Sequence, residues 1–314
     1  MSEMDKVIQV TNLKKNYGAL IAVDGISFSV ERGEVFGLLG ENGAGKTTTL
    51  EIIEGLRKPT AGEIKVLGYD IRTHLQHIKE RIGVQLQSSA YYNFLTLKEI
   101  IDLFGNFYST KVDSSKLFDM VGLTAKANAR ISSLSGGQKQ RFSIIASLIN
   151  DPEIVFLDEP TTGLDPIGRR NTWDIISQIK SQGKTIVLTT HYMEEAEILC
   201  DRVGIMEKGK IVALDKPHAL IERATYPFRI EFILQKDNPK ILENIRGACP
   251  KGGCDLVRLP SKEAHYEVRL QNKERLHAIL GLLQKENPES LTVGKAALED
   301  LFIELTGKTI TEEA

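Results

Sequence analysis

The sequence predicts an α/β protein built around a parallel β-sheet, with a smaller α+β region after it. A glycine-rich loop over residues 40–47 lies between a strand-like and a helix-like segment, and later apolar segments at 154–157 and 185–190 alternate with helical patterns. Strands that alternate with helices form parallel sheets with helical crossovers. We therefore expect one large domain over residues 5–222 and a second domain over residues 226–307.

The glycine-rich loop runs from Gly40 to Thr47 and fits the G-x-x-x-x-G-K-[ST] pattern of phosphate-binding loops. Its glycines let backbone N–H groups turn inward around a phosphate, and the following helix points its positive dipole end at the same place. We expect Lys46 to bridge the β- and γ-phosphates of a nucleotide and Thr47 to bind Mg²⁺ through its hydroxyl. The alternative is a glycine-rich turn that fits by chance, and the flanking strand and helix disfavour it. The predicted nucleotide-binding residues here are Gly40, Glu41, Asn42, Gly43, Ala44, Gly45, Lys46, Thr47 and Thr48.

An acidic pair, Asp158 and Glu159, follows the apolar segment at 154–157. Open α/β sheets bind ligands at the carboxyl ends of their strands. We therefore expect Asp158 to hold Mg²⁺ through water and Glu159 to polarise the water that attacks the γ-phosphate. An acidic pair taken alone would be interpreted as a helix cap and a solvated charge, but the phosphate loop favours the catalytic interpretation.

A second glycine segment, Leu134-Ser135-Gly136-Gly137-Gln138, precedes a predicted helix over residues 140–148. An exposed helix N-terminus of this kind is an anion site. Because the phosphate loop already serves one nucleotide, we expect Ser135, Gly136, Gly137 and Gln138 to serve a nucleotide bound by another copy. The predicted arrangement is a head-to-tail pair of chains related by a two-fold axis. A simple glycine cap of the helix is the alternative.

The bulk properties limit the possible partners. The net charge of −2 gives no signal for general nucleic-acid binding. No apolar run approaches the length of a membrane span, and the N-terminus lacks a signal-peptide pattern, so we expect a cytoplasmic chain. The three cysteines suit a reducing compartment, and we expect Cys249 and Cys254 to be two free thiols near a hairpin.

Patterns outside these motifs divide the chain further. Strand-like alternation over residues 7–36 predicts an antiparallel β-subdomain joined to the strand before the phosphate loop. Helical periodicity predicts a helical insertion over about residues 90–150. The order strand-helix-strand-strand-helix-strand after Tyr226 predicts a small ferredoxin-like domain, followed by a terminal helix from Leu298 to Leu305.

Taken together, the motifs over residues 7–220 resemble the ATP-binding subunit of an ATP-binding-cassette (ABC) transporter. The resemblance implies a P-loop NTPase core that uses ATP and Mg²⁺. It implies that His191 binds the γ-phosphate, that Gln87 senses Mg²⁺ and water, and that Asp165 lies in a loop that touches the opposite subunit. Gln85 is the alternative to Gln87, because both residues lie on the same strand face.

The resemblance also implies that Tyr17 stacks on adenine. Contact with a cation and pairing within a β-ladder are the alternatives for this aromatic residue. The implied catalytic set is Lys46, Gln87, Glu159 and His191, and the implied metal set is Thr47, Gln87 and Asp158.

The final segment, residues 298–307, resembles the tails of exporter ATPases that pair with ABC-2-type permeases. The implied function is an ATP-hydrolysing motor that dimerises with itself or a paralogous ATPase when ATP is bound. It would contact the inner face of the cell membrane only through a separate permease, with no nucleic acid involved.

One alternative is an ABC-family ATPase that acts on ribosomes or DNA, although such proteins usually carry two cassettes, long coiled-coil inserts or basic tails. The second alternative is a nucleotide-binding regulatory subunit that does not hydrolyse ATP. The presence of Lys46, Glu159 and His191 argues against this alternative.

Overall fold

The structure is a computed structural model that describes residues 6–86, 91–108, 113–249, 253–261 and 263–307. The described residues up to Pro217 form one compact unit, and those from His218 onward form a second.

The N-terminal unit contains two sheets and the helices around them. Its strands are β1 (Lys6–Tyr17), β2 (Leu20–Glu31), β3 (Val35–Leu39), β4 (Ala61–Val66), β5 (Tyr69–Asp70), β6 (Ile82–Gln85), β7 (Ile154–Asp158), β8 (Thr185–Thr190), β9 (Arg202–Glu207) and β10 (Lys210–Asp215). Its helices are α1 (Lys46–Ile53), α2 (Leu75–Lys79), α3 (Leu97–Gly105), α4 (Ser114–Met120), α5 (Gly136–Ala146), α6 (Pro166–Ser181) and α7 (Met193–Leu199).

The larger sheet has six strands in the order β10-β9-β3-β8-β7-β6, and every neighbouring pair except β10–β9 is parallel. Strands β3, β7 and β8 are buried along their whole length, as expected for parallel strands covered on both faces. Their carboxyl ends coincide, because Leu39 pairs with Thr190 and Asp158 pairs with Thr189. The segments that follow these three strands therefore meet at one edge of the sheet.

The antiparallel sheet has the order β2-β1-β4-β5 and corresponds to the predicted antiparallel β-subdomain. Phe28 of β2 stacks on Phe36 of β3 with ring centroids 5.1 Å apart, which joins the two sheets in one apolar core. Helices α3, α4 and α5 occupy the predicted helical insertion. Helix α5 begins at Gly136 rather than at residue 140, because Ser135 and Gln138 form a capping box that starts the helix earlier.

The C-terminal unit contains α8 (Pro217–Glu222), β11 (Phe228–Leu234), α9 (Pro239–Gly247), β12 (Cys254–Arg258), β13 (Ala264–Leu270), α10 (Lys273–Leu283), β14 (Ser290–Lys295) and α11 (Leu298–Thr306). Helix α8 begins with the last residue of the N-terminal unit. The four strands form an antiparallel sheet in the order β12-β13-β11-β14, which is the connectivity of a ferredoxin-like domain. Buried residues of β11, β13, α9 and α10 form the separate core of this unit.

A disulfide joins Cys249, which follows α9, to Cys254, the first residue of β12. The Cα atoms lie 5.5 Å apart, a separation that a disulfide spans. The expectation of two free thiols is therefore wrong, since spacing in sequence does not reveal how closely two side chains approach.

Among the described residues, no helix combines the length and the apolar character that crossing a membrane requires.

Candidate active site

Lys46 is the first residue of α1 and directly follows the loop between β3 and that helix. It is 4% exposed, and its Nζ donates hydrogen bonds to the carbonyl oxygens of Gly40 at 2.7 Å and Glu41 at 3.1 Å. Gly45 has a φ of +102°, and a Cβ there would lie 2.4 Å from the carbonyl oxygen of Ala22. Only glycine fits at this position, so the loop keeps the curvature that encloses the ammonium group.

Glu159 compensates the buried charge of Lys46. Lys46 Nζ lies 3.4 Å from Glu159 Oε1, and both side chains are almost fully buried. Burial lowers the pKa of Lys46, and the carboxylate of Glu159 opposes that shift. The phosphate loop and the acidic pair are therefore joined electrostatically.

The backbone of Glu159 is in the left-handed region, with a φ of +48°. Its N–H donates to the carbonyl oxygen of Thr189 at 3.2 Å and to Thr189 Oγ1 at 3.0 Å, so the end of β8 holds this conformation. A left-handed non-glycine residue costs about 1–3 kcal/mol and is found preferentially at functional sites.

Two further side chains contact the carboxylate of Glu159. His191 Nδ1 lies 3.4 Å from Oε2, and Thr162 Oγ1 donates a 3.0 Å hydrogen bond to the same oxygen. Burial alone would raise the pKa of Glu159, but His191, Lys46 and Thr162 together lower it to about 2. Glu159 is therefore a carboxylate throughout the neutral pH range.

Thr47 and Asp158 place two oxygen atoms side by side. Thr47 Oγ1 donates to Asp158 Oδ1 at 3.2 Å, and Thr189 Oγ1 donates to the same oxygen. Burial raises the pKa of Asp158, although the hydrogen bonds from Thr189 and Thr47 act in the opposite direction.

The oxygen atoms of Thr47 and Asp158 are suitable ligands for Mg²⁺. In the part of the chain that the structure describes, no group of three or more His, Cys, Asp and Glu side chains could hold a metal ion. Mg²⁺, however, is typically bound by one or two protein oxygen donors together with water and substrate phosphates. Thr47 and Asp158 have the chemistry required for such a shared site.

Ser135 and Asp165, both predicted to serve a second copy, make contacts within their own helices. Ser135 Oγ accepts from the N–H of Gln138 at 3.3 Å, and Gln138 Oε1 accepts from the N–H of Ser135 at 3.1 Å. Asp165 Oδ1 accepts from the N–H of Gly168 at 2.6 Å and begins α6. Each residue therefore caps the N-terminus of its own helix. Their predicted contacts with a second copy stay predictions.

Tyr17 lies at the end of β1 and is 39% exposed. It pairs with Leu20 in the β1–β2 ladder, and Lys15 Nζ lies 4.8 Å from its ring centroid. Both alternatives for this residue are thus present in the structure, and stacking on adenine stays a prediction.

Gln87 lies outside the described residues, so its predicted role stays a prediction. Gln85 is 1% exposed in β6, and its Nε2 donates to the carbonyl oxygen of Leu86 at 2.7 Å.

Thr189 and Thr162 are site residues that the sequence reasoning did not assign. Thr189 contacts both acidic residues, and Thr162 contacts Glu159. A usable signal existed for Thr189, because a polar residue at the carboxyl end of a buried strand faces the same edge as the acidic pair. The contact of Thr162 depends on the turn after β7, which no residue pattern specifies.

The strand order, the enclosed lysine and the paired oxygen donors define a P-loop nucleoside triphosphatase. Comparisons with known proteins identify the class further. A family model described as ABC transporter matches residues 23–162. The Nod factor export ATP-binding protein I of Ralstonia nicotianae is 36% identical over 314 residues, covering 98% of this chain and 95% of that protein. The linearmycin resistance ATP-binding protein LnrL of Bacillus subtilis is 36% identical over 318 residues, covering 98% of this chain and 100% of that protein.

A solved structure supports the same assignment. The dimeric post-hydrolysis state of an ATP-binding cassette bound to ADP and Pi has a TM-score of 0.62 and 27% sequence identity, covering 67% of this chain and 98% of the other. This chain belongs to the ATP-binding subunits of ABC transporters, and it is an ATPase.

The pH dependence of stability should differ between the two acidic residues. The pKa of Glu159 is lowered to about 2, so its charge stabilises the folded chain above about pH 4.5, and this contribution disappears as the pH falls through about 2. We expect the difference in unfolding free energy between the wild type and Glu159→Gln to shrink between about pH 6 and about pH 3 in urea titrations without nucleotide.

Asp158→Asn is the matched control. Because the pKa of Asp158 is raised, its ionisation destabilises the folded chain, and the wild type should gain stability relative to Asp158→Asn as the pH falls. The same pH trend for both variants would contradict the electrostatic description of the site.

Proposed function

We propose that this chain is the ATP-hydrolysing motor subunit of an exporter with a separate membrane permease. The observation that carries the proposal is the cluster of buried Lys46, Asp158 and Glu159 with the partly buried His191 at the carboxyl edge of the sheet. The two relatives described above are named for Nod factor export and for linearmycin resistance, and each matches this chain over almost its whole length, including the C-terminal unit.

ATP binding would redistribute the contacts of Lys46. Its ammonium group, which now contacts two loop carbonyls and Glu159, would instead hold the β- and γ-phosphates. Thr47 and Asp158 would hold Mg²⁺, which when bound neutralises negative charge on the two phosphates. Gln87 belongs to the proposed metal and catalytic sets on sequence grounds alone.

The same change would activate Glu159. A carboxylate with a pKa of about 2 is a weak base and accepts a proton from water poorly. When Lys46 turns to the phosphates, Glu159 loses a neighbouring positive charge, and its pKa rises toward the range in which it can orient and deprotonate the attacking water. His191 would then stabilise negative charge on the γ-phosphate.

The segment from Ser135 to Gln138, together with Asp165, would complete the site of a second copy. Ser135 and Gly136 are exposed at the start of α5, and no atom lies within 4 Å of a Cβ built on Gly136. Backbone N–H groups at a helix start bind phosphate oxygens. The similar cassette bound to ADP and Pi is dimeric, which supports a head-to-tail homodimer or a pair with a paralogous ATPase.

A groove in the N-terminal unit offers a surface for the permease. This aromatic groove has a volume of about 430 Å³, and its lining includes Leu56, Val84, Leu86, Tyr91, Phe104 and Phe107. Phe107 is 75% exposed. Exposed apolar patches mark interaction sites, so we assign the groove to a cytoplasmic segment of the permease, which would hold this chain at the inner face of the membrane.

The first test is the variant Glu159→Gln. It should bind ATP with nearly unchanged affinity, because glutamine keeps the size of the side chain, while phosphate release falls by about 100-fold or more. A phosphate-release assay and equilibrium nucleotide binding measure the two effects. Glu153→Gln is the control, since Glu153 pairs with Arg32 and Arg81 at the surface and should leave turnover unchanged. Normal hydrolysis by Glu159→Gln would remove Glu159 from its proposed role.

The second test concerns the partner. Phe107→Asp should reduce recovery of a multi-span membrane protein with the full chain by about tenfold, because a carboxylate in an apolar interface is desolvated without a partner. Quantitative mass spectrometry of the purified complexes measures recovery. Ile198→Asp is the matched control, since Ile198 is a 55% exposed apolar residue on α7. Equal recovery from both variants, or recovery of ribosomal proteins instead, would contradict the permease assignment.

A further inference from the structure

Glu54 is a buried acid that the proposed mechanism does not use. It follows α1 directly and is 1% exposed, and neither of its carboxyl oxygens has a hydrogen-bond partner. Burial, with Asp158 and Glu51 contributing, raises its pKa to about 8. A buried polar group without a partner destabilises a fold, and such groups in natural proteins call for an explanation.

Glu54 forms part of the lining of the aromatic groove. Among the described residues of that lining it is the only acid, and Lys79 is the only base. Lys79 forms no ion pair with Glu54, whose oxygens are both unpartnered. Asn150 Nδ2 already donates to the carbonyl oxygens of Glu80 and Ile82. The groove lining therefore includes a buried acceptor that its own described donors leave unsatisfied.

We propose that the docking segment of the permease inserts one arginine side chain into the aromatic groove, where its guanidinium group pairs with Glu54. This inference rests on the proposed function, because it concerns the partner of that function. Two unpartnered carboxyl oxygens match the two parallel N–H donors of a guanidinium group. The aromatic rings of Tyr91 and Phe104 suit its flat faces, and a volume of about 430 Å³ lies in the range of ligand pockets.

The pairing makes Glu54 a residue that selects the permease. A permease that presents an apolar or acidic side chain at this position would leave the carboxyl group buried and unpaired. The aromatic rim would attract many apolar segments, whereas Glu54 would distinguish the segment that carries the cation. The aromatic residues of the groove would thus recognise the shape of the docking segment, and Glu54 would recognise its charge.

Two synthetic peptides test the inference on the full chain. Each is a labelled alanine- and leucine-based helix of about 20 residues, one with a single arginine on its apolar face and the other with neutral citrulline at the same position. Fluorescence anisotropy is measured without ATP at about pH 8.5, above the pKa of Glu54. The arginine peptide should bind the wild type at least about tenfold more tightly than the citrulline peptide.

Glu54→Gln should abolish this preference. Glu51→Gln is the matched control, because Glu51 lies on the same helix, pairs with Arg57 and should keep the preference. Circular dichroism verifies that both variants fold, and Glu54→Met serves as a second neutral variant.

Equal affinity of the two peptides for the wild type, including no measurable binding of either, would overturn the inference. A preference that survives Glu54→Gln would overturn the role of Glu54. Binding of free hexylguanidinium without binding of the arginine helix would identify a small-cation site and overturn the docking assignment. Since the assay contains no ATP, failure of phosphate release would count against the proposed function and not against this inference.

Discussion

The buried ammonium group of Lys46 is the constraint on which the site depends. An unpaired charge at 4% exposure would be strongly disfavoured, so the chain supplies two carbonyl oxygens and the carboxylate of Glu159 as partners. These partners come from the phosphate loop itself and from the end of β7. A bound phosphate would pair with the ammonium group of Lys46. The two carbonyl oxygens and the carboxylate of Glu159 would then need new hydrogen-bond or charge partners. In the proposed function, nucleotide binding would change how the same few charges are paired.

The parallel sheet makes this pairing possible. Strands β3, β7 and β8 are neighbours and end at the same level, so residues that are more than 100 positions apart in the chain lie within contact distance. Thr189, at the end of β8, contacts both Asp158 and Glu159 and fixes the left-handed turn between them. The positions of the charged side chains are thus set by buried backbone, which keeps the groups oriented.

Features that are encoded locally could be predicted from the sequence. The phosphate loop is a continuous strand-loop-helix segment, and the acidic pair directly follows a continuous apolar strand, so each carries its own signal. Features that depend on how the folded backbone brings side chains together could not be predicted. The sequence does not show that Cys249 meets Cys254, that Thr162 reaches Glu159, or that Glu54 is left without a partner. The capping box at Ser135 was encoded locally, but the predicted helix still began four residues too late.

In the proposed dimer, ATP is bound between two copies, with Lys46 of one chain and Ser135 of the other on the same γ-phosphate. A structure of the Glu159→Gln variant with Mg²⁺ and ATP tests it most directly. The account predicts that Lys46 has exchanged its loop carbonyls for phosphate oxygens and that Ser135 of a second copy lies within hydrogen-bond distance of the γ-phosphate. A nucleotide contacted by one chain alone, with Ser135 of every neighbouring copy distant from it, would contradict the account.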